Sequence, residues 1–361
     1  MFKKLLLALL AIAVLGGVII AAFGERILVA AIKRQVHYNL SGEAFAKFGD
    51  GLNVVLCGAG SPVPDPKRAG PCVAVIAGGR IMLVDTGAGA IRNLAPEGIP
   101  VGKVSGVFLT HFHSDHIDGL GELMLQRWGN GSHTAPLPVH GPTGVEQVVQ
   151  GFNMAYAQDD QYRVAHHGPV IMPPAGAGGL AVPFAPPADG AATVVLDEGG
   201  LKVIAFSVDH APIKPAVGYR FDYKGRSVLI SGDTKKSATV EKYAKDVDLL
   251  VHEALNEDMV QLITDGADEA GAKNIAQITR DIHGYHTTPV QAAEIASAAG
   301  ARHLLYYHIV PALPLRPLER MFVKGVSAVY SGGVTVGHDG TWVSLPAGSK
   351  AITVKQIRLG R

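Results

Sequence analysis

From Thr110 the chain reads THFHSDHIDG, which sets three imidazoles, His111, His113 and His116, and the Asp115 carboxylate within six residues. The stretch follows the apolar run VSGVFL at 104–109, so the cluster falls where a strand ends. Imidazole and carboxylate suit a zinc-like cation, which takes three or four such ligands at about 2.0–2.2 Å. Alternation lets His111 and His113 reach one ion while Asp115 and His116 turn toward a second. Four side chains cannot complete both shells, so further ligands must arrive from distant segments. Three other apolar runs end the same way, LKVIAFSVDH at His210, SVLISGD at Asp233 and LLYYH at His308. Any one of these alone would read as a satisfied strand-end residue. Together they favour ligation, and a polar loop with turn-capping histidines is the weaker reading of HxHxDH.

The elements that must position these residues begin at about Leu52. LNVVLC, PCVAVIA, RIMLVDTG and VSGVFLTH each read as a strand and a turn, and the rhythm resumes in LKVIAFSVDH, AVGYRFDY, RSVLISGDT, VDLLVHEA and HLLYYHI. Helices alternate with the later strands. PVQAAEIASAAG, 289–300, has Pro at its start and Gly at its end, and GELMLQRW, 121–128, follows the histidine cluster. Strands first and then mixed elements imply a layered α/β domain. The Pro/Gly/Ala-rich stretch between 169 and 191 is too broken for an element and reads as a long surface loop, a substrate-facing rim or an insertion without function. Cys57 and Cys72 each sit in an apolar run and read as small buried side chains, and spacing alone does not show whether they pair.

The N-terminus is distinct. Leu5 to Phe23 carries no charge over 19 residues, enough for a helix to cross a bilayer core, and no small-x-small cleavage site precedes Gly24. An uncleaved signal anchor over 1–24 is expected, with Lys3 and Lys4 inside and the catalytic domain extracytoplasmic, periplasmic in a Gram-negative cell, or secreted if the segment is cleaved. Residues 25–50 form a connector, either an amphipathic helix along the membrane or a solvated link. The catalytic domain is expected over 51–346, with a tail at 347–361.

THFHSDH together with VDTG at 84–87 resembles the metallo-β-lactamase superfamily. CGAGSPVPDPKRAGPC, VHGPTG, DHAPIKPAVGYRF, SGDT, VHEA, HTT and LLYYHIVP resemble its ribonuclease Z-like branch, which includes an arylsulfatase-like group, over about 52–310. The resemblance implies a four-layered αββα sandwich with the site at one edge of its two sheets. It implies one zinc on His111, His113 and His210, a second on Asp115, His116 and His308, and Asp233 bridging both. A metal-bridging hydroxide would be the nucleophile, with Asp115, Glu253 and His286 catalytic and the last two donating a proton to the leaving group. His252 is expected to pack or to support that pair, and His140, His283 and His303 to be structural. His166 and His167, near Arg163, read equally as pocket lining or exposed loop. Thr287 and Thr288 face an oxyanion or cap the following helix.

With 32 basic against 31 acidic residues the chain is not built to coat nucleic acid. Between Arg127 and Gly200 there are two arginines and no lysine, where the family's tRNA-gripping arm would lie. The expected substrate is therefore a small ester, an arylsulfate or phosphodiester, reached by a membrane-tethered enzyme that binds no nucleic acid. Lactone or β-lactam hydrolysis, a ribonuclease Z-like tRNA 3′ endonuclease and a non-catalytic metal-binding membrane protein are the alternatives. Oligomeric state, a dimer included, stays open, as does the metal.

Overall fold

Fifteen short runs of mostly apolar residues, punctuated by Gly, Pro and Asp, pair into two sheets in the computed structural model, which describes residues 2–357 and leaves the side chains at 3, 7, 8 and 10–22 outside the described residues. The first sheet takes β1 (Gly51–Gly58), β2 (Cys72–Ala77), β3 (Arg80–Val84), β4 (Val104–Phe108), β5 (Leu137–Pro142) and β6 (Gly179–Phe184). The second takes β7 (Ala192–Glu198), β8 (Leu201–Ser207), β9 (Val217–Tyr223), β10 (Arg226–Ile230), β11 (Leu249–Leu255), β12 (His303–Val310) and β13 (Gly333–Val336). The chain then returns to the first sheet through β14 (Thr341–Pro346) and β15 (Thr353–Gln356), giving the orders β15-β14-β1-β2-β3-β4-β5-β6 and β13-β12-β11-β10-β9-β8-β7. The fold is that of the α/β class, two sheets with helices, and β15 occupies part of the segment expected as a tail.

The sheets face one another across a shared core. Leu52, Val54 and Leu56, two residues apart on β1, point the same way and meet Val203, Tyr219, Phe221 and Val251 of the second sheet. Phe108 packs edge-on against Tyr219 and Phe221, with ring centroids 5.5 and 5.7 Å apart. Both faces of the central strands are buried, which is why they read as continuous apolar runs rather than as alternation. Outside the second sheet the helix Pro289–Ala299 lays Ala292, Ala293, Ile295 and Ala296 against Leu250, Leu304 and Tyr306. Thr288 caps it, accepting from the Gln291 amide while the Gln291 side chain accepts from the Thr288 amide, and Gly300 ends it at φ 67°.

Within each sheet one half is antiparallel and the other parallel. β3 pairs parallel with β4, and β10, β11 and β12 pair parallel with one another. Parallel strands end together, so the residues that follow them gather at one edge, the usual place for a site in such sheets.

Three expectations are corrected. The Pro/Gly/Ala-rich stretch does contain an element, β6. It tolerates Pro183 because it is an edge strand, where one face of the ladder has no partner to serve. The helical segment Val145–Ile171, broken by a kink at Gly168 (φ 78°) before Pro169, is not marked in the sequence because only Val145 and Val149 are buried, so it has no 3.6-residue apolar stripe. The anchor is the third. Residues 2–40 are helical, but among the described residues no helix is long and apolar enough to cross a membrane. Most of the Leu5–Phe23 side chains, on which that expectation falls, lie outside the described residues, and the charged Glu25, Arg26, Lys33 and Arg34 follow in the segment expected as a connector. Residues 1–47 and 48–361 are separate compact units.

Cys57 and Cys72 are buried, as their apolar surroundings suggest, and they are also disulfide-bonded to each other across 15 residues. The bridge ties β1 to β2 and closes the loop between them. In the chain-entropy account a loop of that length contributes about 3 kcal/mol. The C57S/C72S double variant should lose stability of that order in denaturant unfolding, and reducing agent should then cost the variant nothing further.

Candidate metal centre

Asp233 follows β10 in the turn Ser231–Thr234, and its carboxylate lies at the centre of the edge described above. Its Oδ2 is 3.3 Å from Nε2 of His116 and 3.3 Å from Nε2 of His308, 3.9 Å from Nε2 of His111 and 4.0 Å from Nε2 of His210. Donor atoms of His111, His113, His210 and Asp233 lie within 4.8 Å of one another, and those of Asp115, His116 and His308 do likewise. Asp115 Oδ2 is 3.2 Å from His308 Nε2 and 3.4 Å from His116 Nε2. The seven residues singled out in the sequence thus meet at one place, in two groups that share Asp233 as neighbour.

Local backbone explains how each arrives. His111 and His113 extend from the end of β4 and face each other, Nε2 to Nδ1, at 2.9 Å. The helical turn Ser114–Ile117 then swings Asp115 and His116 back toward the same point. His308 is delivered by a bulge. Glu253 pairs with Tyr307 and Ala254 with Ile309, so His308 is the extra residue, held at φ 44°. A left-handed residue in a bulge re-aims its side chain, here from the sheet face to the edge. His210 is oriented by donating from Nδ1 to the Tyr285 carbonyl at 3.0 Å, which leaves Nε2 for the site.

Asp85 is the residue sequence reasoning passed over, although VDTG was in view. It sits just past β3 at φ 59°, fully buried. Its Oδ1 accepts from the Thr110 amide and its Oδ2 from the Thr110 hydroxyl and from His116 Nδ1, each at 2.8 Å. That bond fixes the His116 tautomer and turns Nε2 inward. Its signal was an acid directly after an apolar strand, the same signal that marked Asp233.

The electrostatics favour a cation. Burial and the neighbouring His116 hold the His111 imidazole well below its usual range, and burial lowers those of His113 and His210, so these rings are neutral lone-pair donors. Burial works against ionising Asp233, yet His308 and His116 keep its carboxyl well below the ordinary value. His116 goes the other way. Burial pulls it down, but Asp233, Asp85 and Asp115 raise it well above an ordinary imidazole. Three carboxylates around one ring show where positive charge is wanted. Nε2 of His116, Nε2 of His210 and Oδ1 of Asp233 are buried without a hydrogen-bond partner among the described residues, a costly arrangement unless something else engages them. The donor set fits metal ions.

Beside it, His286 Nδ1 is 3.3 Å from Glu253 Oε2, and the His286 ring stacks on that of His308 with centroids 5.5 Å apart. Glu253 Oε1 accepts from the Thr287 amide at 2.8 Å. Burial acts to lower the His286 pKa, but the Glu253 carboxylate, with Asp233 behind it, raises it to about 9. The Glu253 carboxylate thus favours the protonated form of the imidazole at the edge of the cluster. Thr287 gives its hydroxyl to the Thr234 carbonyl, and the Thr288 hydroxyl accepts from the Gln291 amide as the helix cap. His252 donates to the Glu253 carbonyl at 2.7 Å, His140 stacks on Phe108, and His303 meets Thr335. His166 and His167 are exposed on the helix Val145–Ile171, and the hollow that His167 lines with Arg163 includes none of the seven.

The family model for the Beta-lactamase superfamily domain matches residues 80–309, which span β3 to β12 and every residue of this centre. A ribonuclease Z of Mycobacterium avium is 36% identical over 290 residues, 80% of this chain and 96% of that protein. The chain belongs to the metallo-β-lactamase superfamily, in its ribonuclease Z-like branch. Solved structures agree on the fold. The metallo-β-lactamase fold protein YhfI from Bacillus subtilis aligns with TM-score 0.58 at 20% identity, covering 81% of this chain and 99% of that one. The short form of human tRNase Z aligns with TM-score 0.57 at 22% identity, covering 81% and 99%.

Superfamily membership makes the chain a hydrolase by fold, but its curated relatives overturn the small-ester reading. They are named ribonuclease Z, which removes the case for an arylsulfatase-like enzyme and, with it, for a partner list that excludes nucleic acid. That exclusion rested on missing lysines, and those bear on one way of gripping RNA rather than on the chemistry of the bond cut. The membrane-anchored, extracytoplasmic placement falls with the same names.

If Asp85 sets the His116 tautomer, Asp85→Asn should weaken metal affinity 10–100-fold, the usual cost of losing such support. Competition with a chromophoric chelator measures it. Unchanged affinity in a folded variant would show that His116 needs no such partner.

Proposed function

We propose that this chain is a metal-dependent phosphodiesterase of ribonuclease Z type, acting on RNA. The observation that carries the reading is the seven-donor cluster with the Glu253–His286 pair at its edge, in a chain whose relatives bear that name over 80% of its length. His111, His113 and His210 would hold one ion, Asp115, His116 and His308 a second, and Asp233 would touch both. Zinc is the ion we propose, since His-rich N/O sets suit it best. Two such ions would acidify a water for attack at phosphorus and stabilise charge on the phosphoryl oxygens.

The chain supplies the rest. A ribose oxygen is a poor leaving group, and His286, kept protonated by Glu253, is the group that can hand it a proton as its bond to phosphorus breaks. Glu253 is fixed by the Thr287 amide and cannot swing away to become a ligand. Asp85 on His116, the Thr110 hydroxyl 3.0 Å from His111 Nδ1 and the Tyr285 carbonyl on His210 hold the imidazoles in tautomers that face inward.

Purified protein loaded with zinc should cleave an RNA bearing a 3′ extension, and chelation or Asp233→Asn should abolish it. RNA left intact by the fully loaded protein would sink the reading. His286→Ala should lower kcat on RNA by roughly 10²–10⁴. The loss should be much smaller on a p-nitrophenyl phosphodiester, whose leaving group needs no proton. Equal losses on both would remove the proton-donor role.

A further inference from the structure

Ribonuclease Z chemistry meets an electrostatic difficulty in this chain. A protein that grips a folded RNA by its backbone does so with several Lys or Arg contacts to phosphate. In the interval 127–200 the two arginines are both engaged. Arg127 is buried and donates to the Val104 and Ala135 carbonyls, and Arg163 pairs with Asp159 at 3.2 Å. That interval therefore offers no uncommitted basic side chain.

A hollow of about 640 Å³ includes none of the seven donors, but unlike the one at His167 it is walled by residues from the same two loops that carry five of them. Phe112 and Ile117 come from the histidine loop itself, Phe152 and Gln147 from the helix Val145–Ile171, and Lys214 from the loop after His210. The Phe112 ring lies directly on the backbone of Gly144. A Cβ there would stand 3.0 Å from Phe112 Cε2, and φ is +111°, so that position is reserved for glycine twice over. Phe112 and Phe152 are only half-buried, and neither belongs to the core between the sheets. Two aromatic side chains left partly open beside a polar reaction centre, with one exposed lysine at the rim, match a base attached to a phosphate.

Resting on the phosphodiesterase reading, we propose that this pocket receives the base of a nucleotide adjoining the scissile phosphate, and that the enzyme selects single-stranded RNA by stacking rather than by gripping backbone. Phe112 and Phe152 supply the apolar and aromatic surface, and Lys214 meets a phosphate of the same strand. Stacking tolerates any base, because every base has a π face, and each stack contributes about 1–3 kcal/mol without drawing on charge. A base paired in a duplex cannot enter, so selection falls on unpaired ends.

The test compares esters with one leaving group: thymidine 3′- and 5′-(p-nitrophenyl phosphate) against methyl p-nitrophenyl phosphate, with the zinc-loaded full chain. Phe152→Ala should lower the kcat/KM ratio of at least one nucleoside ester to the methyl ester about tenfold or more, and Phe152→Tyr should restore it. Gln147→Trp, an exposed rim position, should lower the ratio by crowding the pocket, which covers the case of Phe152→Ala failing to fold. With single-stranded oligonucleotide, log(kcat/KM) should fall against log[salt] with a slope of about −1 to −2. Ratios unchanged in both variants, or a slope steep enough for many phosphate contacts, would overturn the proposal. Hydrolysis of the methyl ester with neither nucleoside ester nor RNA cleaved would overturn the phosphodiesterase reading instead.

Discussion

Around the Asp233 carboxylate, 3.3 Å from two imidazoles and about 4 Å from two more, the rest of the molecule is arranged. A buried anion is tolerable only with compensating charge close by, and no single segment could provide it. The seven residues of the centre come from four separate strands, β4, β8, β10 and β12. Two sheets face to face, with β4 in the first and β8, β10 and β12 in the second, deliver those residues to one edge. The bulge at His308 and the turn after His113 correct the two directions that strand geometry leaves wrong. The apolar core therefore does more than hold the domain together. It fixes the register on which sub-ångström placement of seven side chains depends.

Such a site weighs against stability when empty. Each buried polar group without a partner costs about 1–3 kcal/mol, and the centre contains several. On the dinuclear reading, ion binding removes those penalties, so metal affinity and folding stability are linked. The Cys57–Cys72 bridge bears on the same balance. The loop it closes packs directly beneath the site: the Gly87 amide donates to the Pro71 carbonyl, the Gly70 amide to Ala88, and the Ile309 amide, next after His308, to Ala59. A covalent tie there limits how far the Asp85 turn and the His308 bulge can relax.

The sequence announced this centre well because its ligands obey a simple rule: each follows an apolar strand. Strand, turn and the Pro289–Gly300 helix were legible for similar reasons, since period and caps are local. What stayed hidden is non-local. Nothing in LLYYHIV says that His308 bulges, because the partner that forces it, β11, is some fifty residues away in sequence. Asp85 was visible as a residue but not as a role, which required seeing that His116 folds back onto it. The helix Val145–Ile171 carries no stripe because most of it faces solvent, and β6 breaks the rule against proline because edges are exempt.

The error over substrate has a physical lesson of its own. A shortage of lysine speaks against phosphate contacts, but those are not the only means of holding nucleic acid. Backbone charge is what a protein uses when it must hold a duplex whose bases are hidden. An unpaired end shows its bases, and a half-buried phenylalanine can hold one without any charge. Phe112 lies between two of the imidazoles in sequence, so the stretch that would hold the ions also presents a surface for the base. Where chemistry and recognition share one loop, a separate basic arm is dispensable.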